Sequence, residues 1–263
     1  MIKLSEIVNC LEEAFPPEYA EDFDNIGLLA GRKEKDISKV LLCLDCNKNV
    51  VNEAVRVGAQ LIVTHHPVIF NPVKSITDAT DHGEMLVSAL ENGISIYSAH
   101  TNADSAPGGL TDTVCKKLGL SATENMEGNL GRICTAAEGT TAKTLCSTIK
   151  KEFGLEKVYS TFTKDKDIKT VAVCNGGGGG ELPEIAMQLG ADVYISGDLK
   201  HHEVSALKIS DNIDFIEIRH FDCEKIVTEI FKEKLAERFG DNLESVISAA
   251  EESPLLDTDK ILC

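Results

Sequence analysis

The sequence has no basic tract. Acidic residues outnumber Lys and Arg 43 to 26, for a formal charge of −17. That excess argues against non-specific binding to nucleic acid or to an anionic membrane surface, and it favours metal cations as ligands. No apolar run reaches the roughly 18 residues a membrane span needs. Met1-Ile2-Lys3 does not open like a secretory signal. The 9 cysteines are an odd number without framework spacing. They point away from a disulfide scaffold and toward free thiols in a reducing cytoplasm. No Pro/Ser-rich linker or low-complexity tract divides the chain. What remains is ordinary globular composition, 43% hydrophobic and 26% charged over 263 residues, enough for one or two domains with a sizeable core.

Apolar spacing predicts alternating helices and strands. Leu4, Ile7, Val8 and Leu11 recur with a helical period until Pro16-Pro17 stops them. Short apolar runs at 40–44, 61–63 and 94–97 read as buried strands, separated by helices at 49–57 and 84–91. The second half repeats this grammar with strands at 171–174, 193–196 and 215–218 and helices at 182–189 and 199–209. The expected fold is α/β, two lobes of related topology in α/β/α layers with largely parallel sheets. Gly58-Ala59-Gln60-Leu61-Ile62-Val63-Thr64 resembles Gly190-Ala191-Asp192-Val193-Tyr194-Ile195-Ser196, which suggests an internal duplication. The expected division is a first lobe at 1–125, a second at 126–219, and a segment at 220–263 that packs back on the first. The stretch from Glu251-Glu252-Ser253-Pro254 onward reads as a mobile tail.

Six of the 7 histidines fall at expected strand ends or in the turns after them; His82 is the exception. Open α/β sheets present their ligands just beyond the carboxyl ends of strands. His65-His66-Pro67 offers two adjacent imidazoles, and Pro67 helps end the strand so that both can face one site. His100-Thr101-Asn102-Ala103-Asp104 adds a carboxylate, with His100 and Asn102 placed to orient ligands or substrate. His220-Phe221-Asp222-Cys223-Glu224 pairs an imidazole with a carboxylate four residues on. Each motif alone also has a plain explanation: polar loop residues, an Asp turn, or a Glu favoured by a helix dipole. Together, three imidazoles and two carboxylates at three strand ends suffice for two metal ions sharing a bridging carboxylate and activating water. Zn, Fe and Mn all suit such donors.

Three further features stand beside this set. Cys43-Leu44-Asp45-Cys46 has CxxC spacing without a second pair, so buried free thiols explain it better than zinc. Asn175 precedes the run Gly176 to Gly180, which lacks the Lys-Ser/Thr of a P-loop and reads as close backbone approach or a flexible rim rather than a phosphate cradle. In Ser196-Gly197-Asp198-Leu199-Lys200-His201-His202, Asp198 reads as a cap for the following helix, while Lys200 and His202 face either substrate or solvent.

Asp24-Asn25-Ile26-Gly27-Leu28, His65-His66-Pro67, His100-Thr101-Asn102-Ala103-Asp104, Ala106-Pro107-Gly108-Gly109, Gly197-Asp198-Leu199 and His220 with Glu224 occur in that order. In these motifs, over about residues 4–240, the chain resembles the GTP cyclohydrolase I type 2 homologue family, also called the Ngg-interacting-factor-three-like family. The resemblance implies a two-lobed α/β protein with a dinuclear metal site, ligated by His65, His66, Asp104, His220 and a bridging Glu224. It also implies a homohexamer. The short bacterial form is the one it matches. Asn47, Arg219, Phe221 and His201 stand where the family more often has Thr, Gly, Tyr and Tyr; Arg219 and Phe221 alter the wall of the site.

The activity implied is metal-dependent hydrolysis of a nucleotide or similar heterocycle. On GTP, water would attack C8 of guanine and formate would leave. His100 and His202 are the candidates for proton transfer. Lys200, Arg219 and Lys74 are the basic candidates for phosphate. A different hydrolytic substrate at the same residues fits these motifs too, as does a non-catalytic metal-binding scaffold acting through protein partners.

Overall fold

Local chemistry sets the element boundaries. The structure, a computed structural model, describes residues 1–255. The first elements are β1 (Ile2–Lys3), α1 (Leu4–Ala14), β2 (Gly27–Ala30), β3 (Asp36–Ile37), β4 (Lys39–Cys43), α2 (Lys48–Val57), β5 (Leu61–Thr64), α3 (Asp81–Glu91), β6 (Ser95–Ser98) and α4 (Thr101–Ser105). Next come α5 (Leu110–Lys117), β7 (Ser121–Asn125), β8 (Arg132–Thr135), α6 (Ala142–Phe153), β9 (Tyr159–Ser160), β10 (Thr170–Gly177), α7 (Leu182–Gln188), β11 (Val193–Gly197), α8 (His201–Ser210) and β12 (Asp214–Glu217). The last are α9 (His220–Glu224), α10 (Val227–Phe239) and β13 (Glu244–Ile247). At the start of α2 the Asn47 side chain accepts from the backbone N–H of Asn49 at 2.9 Å and Val50 at 3.1 Å. Gly58 closes that helix in the left-handed region at φ 71°. His82, expected in a loop, lies in the first turn of α3, where its Nε2 meets the Val68 carbonyl.

The chain forms two compact units, Met1–Ala103 with the segment from Lys225 onward, and Asp104–Glu224. In the first unit the sheet runs β13-β4-β5-β6-β2, with β2 antiparallel and the other four strands parallel. Leu41, Cys43, Ile62 and Ile96 pack with Val50, Val51 and Ala54 of α2 and Met85, Leu86 and Ala89 of α3. The alternate residues Val40, Leu42, Leu61 and Val63 are equally buried, so the sheet is covered on both faces. Helix α10 packs on α1, β4 and β13, and Phe231 meets Phe15 edge to face at 5.7 Å.

In the second unit the sheet order is β7-β8-β10-β11-β12-β9, with β10, β11 and β12 parallel and the outer pairings antiparallel. Ala172, Tyr194 and Phe215 pack with Ala186 of α7 and Leu207 of α8. The two units share a topology. The series β4-α2-β5-α3-β6-α4 matches β10-α7-β11-α8-β12-α9, down to a five-residue helix after the third strand. This is the arrangement that the paired segments around Gly58 and Gly190 suggest.

The division of the chain differs from the expected one. The first boundary falls at 103/104 rather than near 125, because β7 ladders onto β8 and α5 packs on β10. The second falls at 224/225 rather than 219/220, because α9 packs on β10 and β11. The C-terminal segment does join the first unit, and more firmly than a tail would. Strand β13 pairs with β4, and the Glu251 carboxylate accepts the Leu44 N–H at 3.0 Å and the Asp45 N–H. The remainder of the expected tail, 256–263, lies outside the described residues. Among the described residues no helix is long and apolar enough to cross a membrane.

Candidate metal-binding clusters

In the first unit, three histidines gather past the carboxyl ends of β5 and β6. The ligand atoms of His65, His66 and His100 all lie within 4.8 Å of one another. Their ring centroids are 5.1 to 5.5 Å apart. Each ring is held at Nδ1 by an oxygen: His65 by the Ala99 carbonyl at 2.8 Å, His66 by Asp45 at 2.7 Å, His100 by Asp24 at 2.9 Å. A carbonyl or carboxylate oxygen can only accept, so Nδ1 carries the proton and Nε2 presents its lone pair. Ligating histidines show this same arrangement, because the held N–H fixes tautomer and ring orientation.

Asp24 is the most heavily committed of these supports. It accepts from His100 Nδ1, the Thr101 N–H at 3.0 Å, the Thr101 hydroxyl at 2.5 Å and the Asn25 N–H at 2.7 Å. Burial pushes its carboxyl up, but the bonds from His100 and Thr101 outweigh burial and hold it well below the ordinary range. Beside His100 stands the exposed Phe70, which in turn meets the exposed Phe23. Phe70 lies 6.3 Å from the His100 ring and 6.3 Å from Phe23.

In the second unit, two buried carboxylates meet one amide. Asp104 is 7% exposed and Glu224 3%. Asn175 Nδ2 donates to Asp104 Oδ1 at 2.8 Å and to Glu224 Oε1 at 3.2 Å. His220 Nε2 lies 2.7 Å from Glu224 Oε2, close enough to share a proton or a metal ion, and its Nδ1 is held by Asp198 at 2.8 Å. Asp198 adopts φ 53°, the left-handed region that L residues rarely visit.

The glycine run serves this corner. A Cβ on Gly176, at φ 64°, would strike the Glu224 carboxylate and come within 3.1 Å of His220 Nε2. One on Gly178 would strike the Tyr194 and Ser196 hydroxyls. Close backbone approach, not a phosphate cradle, accounts for these glycines. Cys174, at the edge of the same corner, stays a thiol because burial pushes it up to about 12.

The other expected residues have contacts of their own. His202 and Lys200 are exposed at the start of α8, where the Glu203 carboxylate caps the Lys200 N–H at 2.6 Å and the Gly180 N–H at 2.9 Å. Arg219 donates to Asp222 at 2.7 Å, and Lys74 is exposed on the loop after β5. Burial pushes the Cys43 thiol up, consistent with an unreactive CxxC. Conversely, the supporting roles of Asp24, Asp45, Asn175 and Asp198 are not apparent from the motifs alone. Their one visible signal is position: Asn175 lies near the end of β10, Asp45 and Asp198 just past β4 and β11, and Asp24 within the Asp24-Asn25-Ile26-Gly27-Leu28 motif. The donor types fit a divalent transition metal, with imidazole nitrogens fixed in the ligating tautomer and carboxylates buried and pre-ordered.

These features define a class: an α/β protein of two like-wound units, with histidine and carboxylate clusters at the carboxyl ends of the strands. The chain belongs to the family described as Duf34/NIF3 (NGG1p interacting factor 3), whose model matches residues 2–254. The Clostridium perfringens GTP cyclohydrolase 1 type 2 homolog is 36% identical over 260 residues, 96% of this chain and 98% of that protein. Reduced HcgD from Methanocaldococcus jannaschii superposes with a TM-score of 0.84 at 29% identity, covering 94% of this chain and 97% of that one. Staphylococcus aureus protein SA1388 matches in fold, with a TM-score of 0.86 at 24% identity over 97% of this chain and 99% of that one.

Proposed function

We propose that this protein is a metal-dependent hydrolase acting on a nucleotide or similar heterocycle, with His65, His66, Asp104, His220 and Glu224 as ligands to two divalent ions. The observation that carries the reading is the common state of the imidazoles. His65, His66, His100 and His220 each commit Nδ1 to an oxygen of their own unit. Divalent ions bound there would supply Lewis acidity and bring the pKa of water toward neutrality.

The chain's own residues would do the rest. His100, backed by Asp24, is placed to move a proton at Nε2. Phe70, exposed beside it, and Phe23 next to Phe70 offer aromatic surface to a flat ring. His202 and Lys200, exposed at the start of α8, have less support as a second proton carrier and a phosphate contact. The likeness to the Clostridium perfringens GTP cyclohydrolase 1 type 2 homolog supports GTP as the substrate to try first, with guanine ring opening and formate release as the reaction.

The test is reconstitution with Mn, Zn or Fe, then a nucleotide panel assayed for formate. The expected result is turnover with at least one metal, lost in His66→Ala. Metal retention without turnover on any nucleotide would contradict this reading and favour a metal-binding scaffold.

A further inference from the structure

Asn175 stands where two buried carboxylates converge, and its own orientation is fixed by chemistry. Asp104 Oδ1 and Glu224 Oε1 can only accept, so the side-chain atom within 2.8 and 3.2 Å of them must be the NH2 group. That leaves Oδ1 of Asn175 as an acceptor, and the Thr111 hydroxyl donates to it at 2.5 Å. Thr111 is 1% exposed and Asn175 8%. A hydroxyl hydrogen thus fixes which way the amide points, and the amide's two N–H bonds each take one named oxygen of a different carboxylate.

We infer that Asn175, locked by Thr111, is a positioning residue that pre-orders Asp104 and Glu224 for the metal reading proposed above. Two carboxylates buried side by side need donors aimed at particular oxygens if each is to keep one orientation. An amide supplies two donors without adding charge. An Asp or a hydrophobe at 175 could not do so. The next residue makes room for one of the two: Gly176 leaves the space that the Glu224 carboxylate fills. Asn175 therefore acts through the ligands and touches neither substrate nor metal.

The experiment is metal binding by the full-length protein, read by competition with a chelator and by the visible spectrum of the Co(II)-loaded form. Asn175→Ala is expected to weaken metal affinity about 10- to 100-fold, the usual effect of removing a group that orients a ligand. Its Co(II) bands should shift as the carboxylates change their mode of binding. Thr111→Val is expected to produce a smaller loss in the same direction, and Thr111→Ser to restore wild-type binding. Wild-type affinity and an unchanged Co(II) spectrum in both Asn175→Ala and Thr111→Val would overturn the inference, even if their apo forms melt lower. If Asn175→Ala does not fold, the Thr111→Val and Thr111→Ser pair decides alone. Failure of the wild type itself to bind Co(II), Zn or Mn would overturn the metal reading instead.

Discussion

Single residues decide how well the clusters can be held. Gly176 combines a left-handed backbone with a missing Cβ at the Glu224 carboxylate. Gly176→Ala is therefore expected to displace Glu224 and lose metal affinity, with a backbone cost of about 1 kcal/mol besides. A chelator-competition titration checks the first effect and thermal melting of the apo form the second. The proposed ligands were legible because each sits in a short motif at a strand end: His65-His66, Asp104, His220 and Glu224. Their supports were not. Asp24 reaches His100 across 76 positions and Asp45 reaches His66 across 21. Such pairings depend on where loops return, which periodicity does not encode. Asn175 was visible only as the residue before a glycine run.

At the scale of elements, the C-terminal strand is tied down by one buried carboxylate on α2. Glu53, 5% exposed, accepts from the Ser248 hydroxyl at 2.6 Å and from the Ala249 and Ala250 N–H groups, each at 3.1 Å. Burial raises its carboxyl, but these bonds outweigh burial and lower it below its ordinary 4.5. A carboxyl lowered on folding adds stability that is present above its unfolded value and is lost as pH falls through the folded one. Glu53→Gln is expected to lower stability by about 1.5–3 kcal/mol at neutral pH, the worth of a hydrogen bond to a charged group. The gap to wild type should narrow below about pH 4.5. Urea melts at pH 7 and pH 3.5 check both points; an equal gap at the two values would contradict the assignment. Helices and parallel strands were readable from apolar period and Gly or Pro stops. The two-residue strands β1, β3 and β9 carry too few residues for a period to register. Asn47, departing from the more frequent Thr, keeps the capping role that Thr would fill.

For the whole molecule, the duplicated order of strands and helices was legible, but the cut between units was not. The stretch at 121–131 looks like a polar boundary by composition, yet β7 within it is exposed along its length and still ladders onto β8. Hydrogen bonding to a neighbour, not polarity, decides which unit an edge strand joins. The net charge of −17 takes on a more specific sense here. Asp104 and Glu224 are buried acids rather than surface charge, and ligand binding to the folded state alone stabilises it, by about 2.7 kcal/mol at 100 times the dissociation constant.

Everything proposed for this protein depends on these histidines and carboxylates holding metal. Elemental analysis of the protein after loading with Zn, Mn or Fe and exhaustive desalting tests it most directly. About two divalent ions per chain are expected, with fewer in both His66→Ala and Glu224→Gln. A wild-type protein that retains no metal from any loading, or variants that retain as much as wild type, would contradict it.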